Sequence, residues 1–483
     1  MSGQLVSWRD YAGLDGFAGQ ASMDELQALR KALVAGSDRD PVAAAPGVGF
    51  PLRPESLDST LKSVTFRAEH FRFWRLLPKR PAYNTVEEFN QVQSFGQSSL
   101  GGFIAEGGLP EVSDAQYERK FAYVKFLGTT RIVSHVMSMV RPAHGNVLTQ
   151  ETVAGTMKLL ENVERSSWFG RSTLDSVQWD GIEKWIEDGA TAYHIIDMRG
   201  RPLTEDALTD ASLTIMDAPS YGIPTHIFVN PKNKADLVKT FFPRARFDQF
   251  QKTDEGLVGA DIRGITTPAG DIQIVPSVFL DDGQGEPAAA AGLTAVGDVT
   301  KRPASPTITT AITSPVDALS KFATDDAGTY AYKVVAVNQY GRSAPVVVTA
   351  GAAVAAGDRA TFGVTPGAGP AVSYYVVYRS AKNGAAGTER VILRVANGAG
   401  AGEQTVNDYN DELPGTYRAF MMQMNMDNLA FLQLAPMMKI PLATIDSSVR
   451  WMQLLYGTPV VYTPRHNVIF KNIGRATDYV GAP

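Results

Sequence analysis

One stretch limits what this chain can become more than any other, and it spans residues 92–190. It opens with the glycine-rich run SFGQSSLGGFIAEGGLPE at 94–111, which holds few large aliphatic side chains. The apolar segment FAYVKFLGTTRIVSHV at 121–136 reads as strand. LTQETVAGTMKLLENVERSSWFG at 148–170 reads as helix, and QWDGIEKWIEDGA at 178–190 is a second apolar stretch. Thr149 is placed as the N-cap, because its hydroxyl can accept from an orphan N–H, and Glu151 suits the positive end of the helix. Val153, Met157, Leu160 and Val163 recur at helical spacing and predict one buried stripe. Gly155 interrupts that stripe at a cost of about 1 kcal/mol against alanine. A floppy hairpin feeding a packed helix suits a subunit that reaches over its neighbours better than a self-contained catalyst.

At 483 residues the chain exceeds one ordinary core, and roughly 150 residues per domain predicts about three. There are no cysteines, which excludes disulfides and thiolate metal sites, so stability must come from packing and from interfaces. A net charge of −5 gives no whole-chain reason to expect nucleic-acid binding. No uninterrupted apolar run approaches about 18 residues, so no transmembrane helix is expected. The start, MSGQLVSWRDYAGLDGF, lacks the basic opening and apolar centre of a signal peptide, which predicts synthesis in the cytosol.

Residues 1–60 read as an arm. It contains a short amphipathic helix at 23–36, with Leu26, Leu29 and Leu33 on one side and Gly36 as its stop. The run at 40–54 carries four prolines and cannot be regular. Residues 62–80 hold six basic side chains, Lys62, Arg67, Arg72, Arg75, Lys79 and Arg80, against the single acid Glu69. Interleaving with Phe66, Phe71, Phe73 and Trp74 suits base stacking, or else a strand or interface segment with buried aromatics and arginines paired to acids. The second reading is preferred. Residues 84–120 predict a flexible hairpin rather than a phosphate loop, since no Gly-Lys-Ser/Thr follows and no strand immediately precedes the glycines.

Further along, IPTHIFVN at 223–230 predicts a strand closed by the Asn230-Pro231 turn, with a short helix beginning near Asn233. DIQIVPSVFL at 271–280 predicts another strand, so this part is compact α+β. Residues 281–306 are rich in Ala, Gly and Pro and read as a linker. Beyond them the pattern turns to short alternating strands at 329–349, 373–384 and 389–398, with Tyr330, Tyr332, Val334 and Ala336 on one face. Asn383-Gly384 supplies a tight turn. These signals predict a β-sandwich inserted into its parent domain, with helical and mixed patterning resuming after Pro414. Met421, Met422, Met424, Met426, Met437 and Met438 read as core filling or a subunit interface. Residues 450–473 predict two closing strands around Gly457, Thr458 and Pro459.

Catalytic constellations are missing. His70, His135, His144, His194, His226 and His466 form no His-Glu-x-x-His pair and spell no metal site. No Gly-x-Ser-x-Gly elbow appears, and the acid pairs Glu87-Glu88 and Asp325-Asp326 read as solvated charge. No cofactor is expected, and the chain reads as a non-enzyme.

In order, these parts resemble the major capsid protein of a tailed bacteriophage with the Hong Kong ninety-seven type fold. GGFIAEGGLPE followed by KFAYVKFLGTTRIVSHV is similar to the extended loop and its return strand. ENVERSSWFGRSTLDSVQWDGIEKWIEDG resembles the spine helix and the passage after it, and residues 439–474 resemble the closing segment. TYAYKVVAVNQYGRS and SYYVVYRS resemble strands of fibronectin type III or immunoglobulin-like modules, here in the opposite of the usual fibronectin order.

The resemblance implies an α+β fold in these parts: arm at 1–80; extended-loop hairpin and return strand at 81–135; peripheral domain with spine helix at 136–217. The axial domain and linker follow at 218–302, the all-β insert at 303–415, the second axial part at 416–443, and the peripheral closing strands at 444–483. It further implies an icosahedral shell built from hexameric and pentameric capsomers of this one chain. Packaged DNA would lie on the inner face without sequence specificity; scaffolding, portal and decoration proteins are candidate partners, and no membrane is expected. Inter-subunit contacts are assigned to Phe95, Phe103, Ile104, Glu106 and Leu109 on the hairpin and to Arg72, Trp74 and Arg75. Some relatives weld their loops through a lysine; residues 84–119 contain none, which implies a noncovalent shell. The rival reading is a secreted polysaccharide-active enzyme or adhesin with an accessory module, which would need an export signal.

Overall fold

The computed structural model describes residues 65–96, 103–109, 112–140, 145–245, 262–349, 353–443 and 446–476, with the backbone alone over 241–245. The expected arm helix at 23–36 and the proline-rich run lie outside them. The chain divides into two compact units, 1–63 with 138–147, and 64–137 with 148–483. Of the first, only 138–140 and 145–147 are described. All that follows concerns the second.

Two sheets share one aromatic core. The first has the order β1 (Lys79–Pro81), β19 (Leu429–Pro441), β20 (Ser448–Val461), β4 (Lys125–Ser134). Across it runs α3 (Val147–Phe169). Its first turns are held to the sheet by Gln453 Nε2 donating to the Thr152 carbonyl at 2.9 Å, and Arg131 of β4 lies 3.4 Å from Glu151. The helix starts at Val147, so Thr149 lies inside it and is not its N-cap.

The buried face of α3 also differs from the expected stripe. Gly155, Leu159, Val163, Ser167 and Trp168 face inward, while Val153 is exposed. Gly155 contributes: a Cβ there would lie 2.2 Å from Gln453 Oε1, so a side chain would push aside the Gln453 amide that ties the helix to β20. Its propensity cost is offset by that close packing. Trp168 is fully buried, with ring centroids of Phe73, Phe420 and Phe228 at 4.1, 4.7 and 5.2 Å.

The second sheet has the order β5 (Ile195–Asp197), β21 (Asn467–Ile473), β18 (Tyr417–Met422), β6 (His226–Val229), β8 (Gly270–Pro276), β7 (Gly264–Thr267). Phe420 and Met422 of β18 face the aromatic core, and Ala419 and Met421 face a second core with Leu208, Ala211 and Ile215 of α5 (Glu205–Met216). A strand covered on both faces shows no alternation, and this is why residues 417–422 did not read as strand. α6 (Pro231–Ala245) begins at the Asn230-Pro231 turn, two residues before the expected start, with Asn230 Oδ1 accepting from the Lys232 N–H.

The closing segment is shared out differently from the expectation. β20 runs unbroken through Gly457-Thr458-Pro459, and the break comes later, at Pro464–His466. β21 joins the six-stranded sheet and β19 the four-stranded one, so 416–443 and 444–483 each serve both sheets. Likewise the strand read at 121–136 is two: β3 (Gln116–Tyr123) pairs with β2 (Val86–Ser94), and β4 joins β20. The helix α2 (His135–Met139) follows. α4 (Ile182–Gly189) forms most of the second apolar stretch.

Between β8 and β18, neighbours of β6 in one sheet, the chain builds two further antiparallel layers. One is β10 (Thr307–Thr313), β14 (Ala360–Thr365), β17 (Gln404–Asp408). The other contains β16 (Arg390–Ala396), β15 (Tyr374–Arg379), β11 (Tyr332–Asn338), β12 (Gly341–Arg342) and β9 (Val296–Gly297), with β13 (Val346–Val347) also on β11. Tyr332, Val334 and Ala336 face Phe362, Val364 and Val406 across a shared core. Asn383 adopts a positive φ of 52°, but it lies within the long 380–389 connection rather than in a two-residue hairpin.

Residues 281–306 are not a free tether. Ala290 is buried against Tyr374, Val376 and Tyr378, together with Leu174.

Candidate functional site

Two surfaces of this unit lack partners among the described residues. The first is the β2–β3 hairpin, whose register runs from Val86↔Tyr123 to Ser94↔Gln116. Its base is anchored: Phe89 packs edge-on against Tyr462 at 5.0 Å, and Gln91 Nε2 donates to the Tyr462 carbonyl. Val92 and Gln93 still line a cleft with Pro219, Arg465 and His466, and Phe95 beyond them is exposed. A two-stranded ribbon is marginally stable in water, so its outer part needs a surface to lie on.

The predicted contact residues of the hairpin are all exposed. Phe95 is 88% exposed, Phe103 87% and Leu109 94%, and Ile104 and Glu106 are exposed beside them. The sequence reading missed Val92, Val112 and Tyr117, exposed on the same hairpin, although their place among polar neighbours in a ribbon was the available signal. No basic residue occurs between Val92 and Gln116, whereas Glu106, Glu111 and Asp114 do, so this end is acidic as well as apolar.

The second surface is α1 (Arg72–Leu76) and the residues after it. Its inner side is fixed: Phe73 is buried, and its N–H donates to Glu164 Oε1 at 3.3 Å. Glu164 is itself fully buried, and burial pushes its carboxyl up to about 7. The outer side carries exposed Arg72, Arg75 and Leu76. Trp74 is half-buried on Phe431 at 4.9 Å, with Lys79 Nζ 4.4 Å over its ring. The aromatics of 62–80 thus do what the preferred reading asked. Its arginines do not: among the described residues Arg72 and Arg75 form no ion pair, and Arg80 stacks over Tyr462 at 5.6 Å.

No hydrogen bond or ion pair joins the two surfaces within one copy among the described residues. The remaining clefts hold no metal-binding group of His, Asp and Glu among the described residues. No helix there is long and apolar enough to cross a membrane.

The all-β layers, by contrast, are tied to the body at Arg394 and Glu412, and charge pairs continue on either side of those ties. Arg394 Nη1 donates to the Phe169 carbonyl at 2.9 Å, at the end of α3. Arg418 pairs with Glu183 and with Glu412, the latter at 2.6 Å, and Lys471 bridges Glu187 at 2.8 Å and Glu412 at 3.3 Å. Arg379, 1% exposed, holds Asp408 at 2.5 Å and donates to Asn410 Oδ1 at 2.7 Å. Removing one partner from such a buried pair is strongly destabilising, because it leaves a charge uncompensated.

A family profile described as the SU10 major capsid protein matches residues 82–314, from the foot of the hairpin into the all-β layers. The major capsid protein of Staphylococcus phage K is 26% identical over 439 residues, covering 87% of this chain and 90% of that relative. The major capsid protein of Staphylococcus phage S25-3 matches with the same figures. Among solved structures, the capsid of a native GTA particle is 8% identical with a TM-score of 0.47, covering 90% of this chain and 99% of its own.

Proposed function

We propose that the chain builds a virion shell as a major capsid protein of the tailed-bacteriophage type, with the Hong Kong ninety-seven kind of α+β fold. Copies associate as hexameric and pentameric capsomers, and the β2–β3 hairpin of each lies across the next. The observation that carries this reading is the row of exposed Phe95, Phe103, Ile104 and Leu109 on a ribbon that cannot bury them itself. Contacts that repeat head to tail close into rings when the rotation closes, and into shells when rings are joined.

Double-stranded DNA fills the interior, held without sequence specificity. The all-β insert faces outward, because a domain of that size inside would obstruct packing, and it serves surface attachment or reinforcement. Its resemblance to immunoglobulin-like modules and its double-layered core support that role. Negative-stain microscopy of the expressed chain, with and without scaffolding protein, tests the reading. Shells or capsomers are expected; monodisperse monomers under both conditions would contradict it.

A further inference from the structure

We propose that the two unpartnered surfaces are each other's partners between copies: the end of one hairpin docks on α1 of a neighbouring copy, with Glu106 facing Arg72 and Arg75. This rests on the reading that the hairpin is an inter-copy contact and names what it touches.

The chemistry of the two sides is complementary. The hairpin end offers Phe103 and Leu109 around a carboxylate, with no cation from Val92 to Gln116. The α1 side offers two guanidinium groups and the edges of Trp74 and Leu76, with no acid paired to either arginine among the described residues. Arginine and tryptophan are the residue types that anchor protein interfaces, and an arginine fork donates two parallel hydrogen bonds to a carboxylate.

Intrachain closure is disfavoured by geometry. α1 sits at the foot of its own hairpin, since Trp74 packs on Phe431 and Phe89 packs on Tyr462, whose N–H donates to the Asn428 carbonyl. From Phe89 to Ser94 the strand already travels roughly 16 Å away from that foot, at 3.3 Å per residue. The exposed end therefore finds an α1 on another copy. Opposite charges on the two sides also steer the encounter and fix its register, which a purely apolar contact would leave loose.

The test uses the full chain and the subunit concentration at which shells form, read by light scattering and checked by negative stain. Glu106→Arg or Arg75→Glu alone should raise that threshold roughly tenfold, about what a lost charge-assisted contact changes in an equilibrium. The two together should return it to within about threefold of the parent. Both positions are exposed, so the melting temperature of unassembled subunits should not move. A double variant no better than the summed singles overturns the pairing. So does an Arg72→Glu/Arg75→Glu chain that assembles normally but whose shells retain less DNA, which would make α1 a nucleic-acid contact. Phe103→Ser/Leu109→Ser separates the two levels. A raised threshold there without charge-swap rescue refutes the pairing alone; an unchanged threshold refutes the hairpin contact itself.

Discussion

The β2–β3 hairpin and the β15 strand make opposite use of similar material. Both are extended, and both are rich in aromatic and branched side chains. β15 is buried at every position, because its two faces meet different partners: Tyr375 and Val377 point into the double-layered core, and Tyr374, Val376 and Tyr378 point to Leu174 and Ala290. Each hairpin strand has one neighbour strand and, past the cleft at Val92 and Gln93, the described residues of the hairpin end are exposed. One region completes its burial inside the chain; the other, on the assembly proposed above, has its burial completed by a second copy. An inserted domain is ordinarily imagined as a detachable knob and a loop as trim. Here the all-β layers share a core with Leu174 of the body, and the proposed role of the loop lies in assembly.

Deletion breaks this comparison most sharply. Replacing 303–414 with a short linker removes the cover of Leu174 and Ala290 and strips Glu412 from Arg418 and Lys471. That loss is on the order of a domain's whole stability, so the expected outcome is insoluble or unfolded chain. Removing 95–115 instead should leave the melting temperature of the subunit unchanged and abolish shells. Stable, assembling chains from the first deletion would return the insert to accessory status.

A smaller effect comes from the buried pair in the insert. Asp408→Ala leaves Arg379 charged and unpaired at 1% exposure and should cost about 3–5 kcal/mol in urea unfolding. Glu106→Gln on the hairpin should change the same measurement by no more than about 0.5 kcal/mol.

Smaller again is the pH dependence of Glu164, which ties α3 to α1. Its folded carboxyl keeps a proton up to about 7, whereas the unfolded chain releases it near 4.5. The group's stabilising contribution is therefore fully present below about 4.5 and is lost as pH rises to about 7. Glu164→Gln should flatten that part of the stability profile and gain on the order of 3 kcal/mol over the parent at pH 8. Parallel profiles for the two would mean the carboxyl is ionised in place. The least visible expectation is an absence: with no lysine in 84–119, boiled particles should run as single chains on denaturing gels, and a covalent ladder would contradict it.

Much of this was legible in the sequence for identifiable reasons. The glycine-rich run announced a hairpin because nothing in it could pack. The alternation of Tyr332, Val334 and Ala336 announced a strand with one face on a core, and Asn230-Pro231 marked a real boundary. What stayed hidden depends on partners distant in sequence. Gly155 looks like a flaw in a helix until Gln453 is seen against it. The run at 281–306 looks like a tether until Ala290 is seen under Tyr374. β18 carries no period because both its faces are covered, and the division of the closing segment between two sheets leaves no local trace. The candidate contact residues were legible by type, as apolar side chains in a glycine-rich run and as a basic cluster; their proposed pairing needed the foot of the hairpin to be located first.

Amide hydrogen exchange, compared between assembled shells and dissociated subunits, addresses the central claim most directly. Peptides covering 103–109 should exchange within seconds in free subunits and slow by orders of magnitude in shells, while those covering Tyr374–Arg379 should be protected equally in both. Equal protection of 103–109 in both states would mean the hairpin already has its partner within the chain, and the account of assembly given above would be wrong.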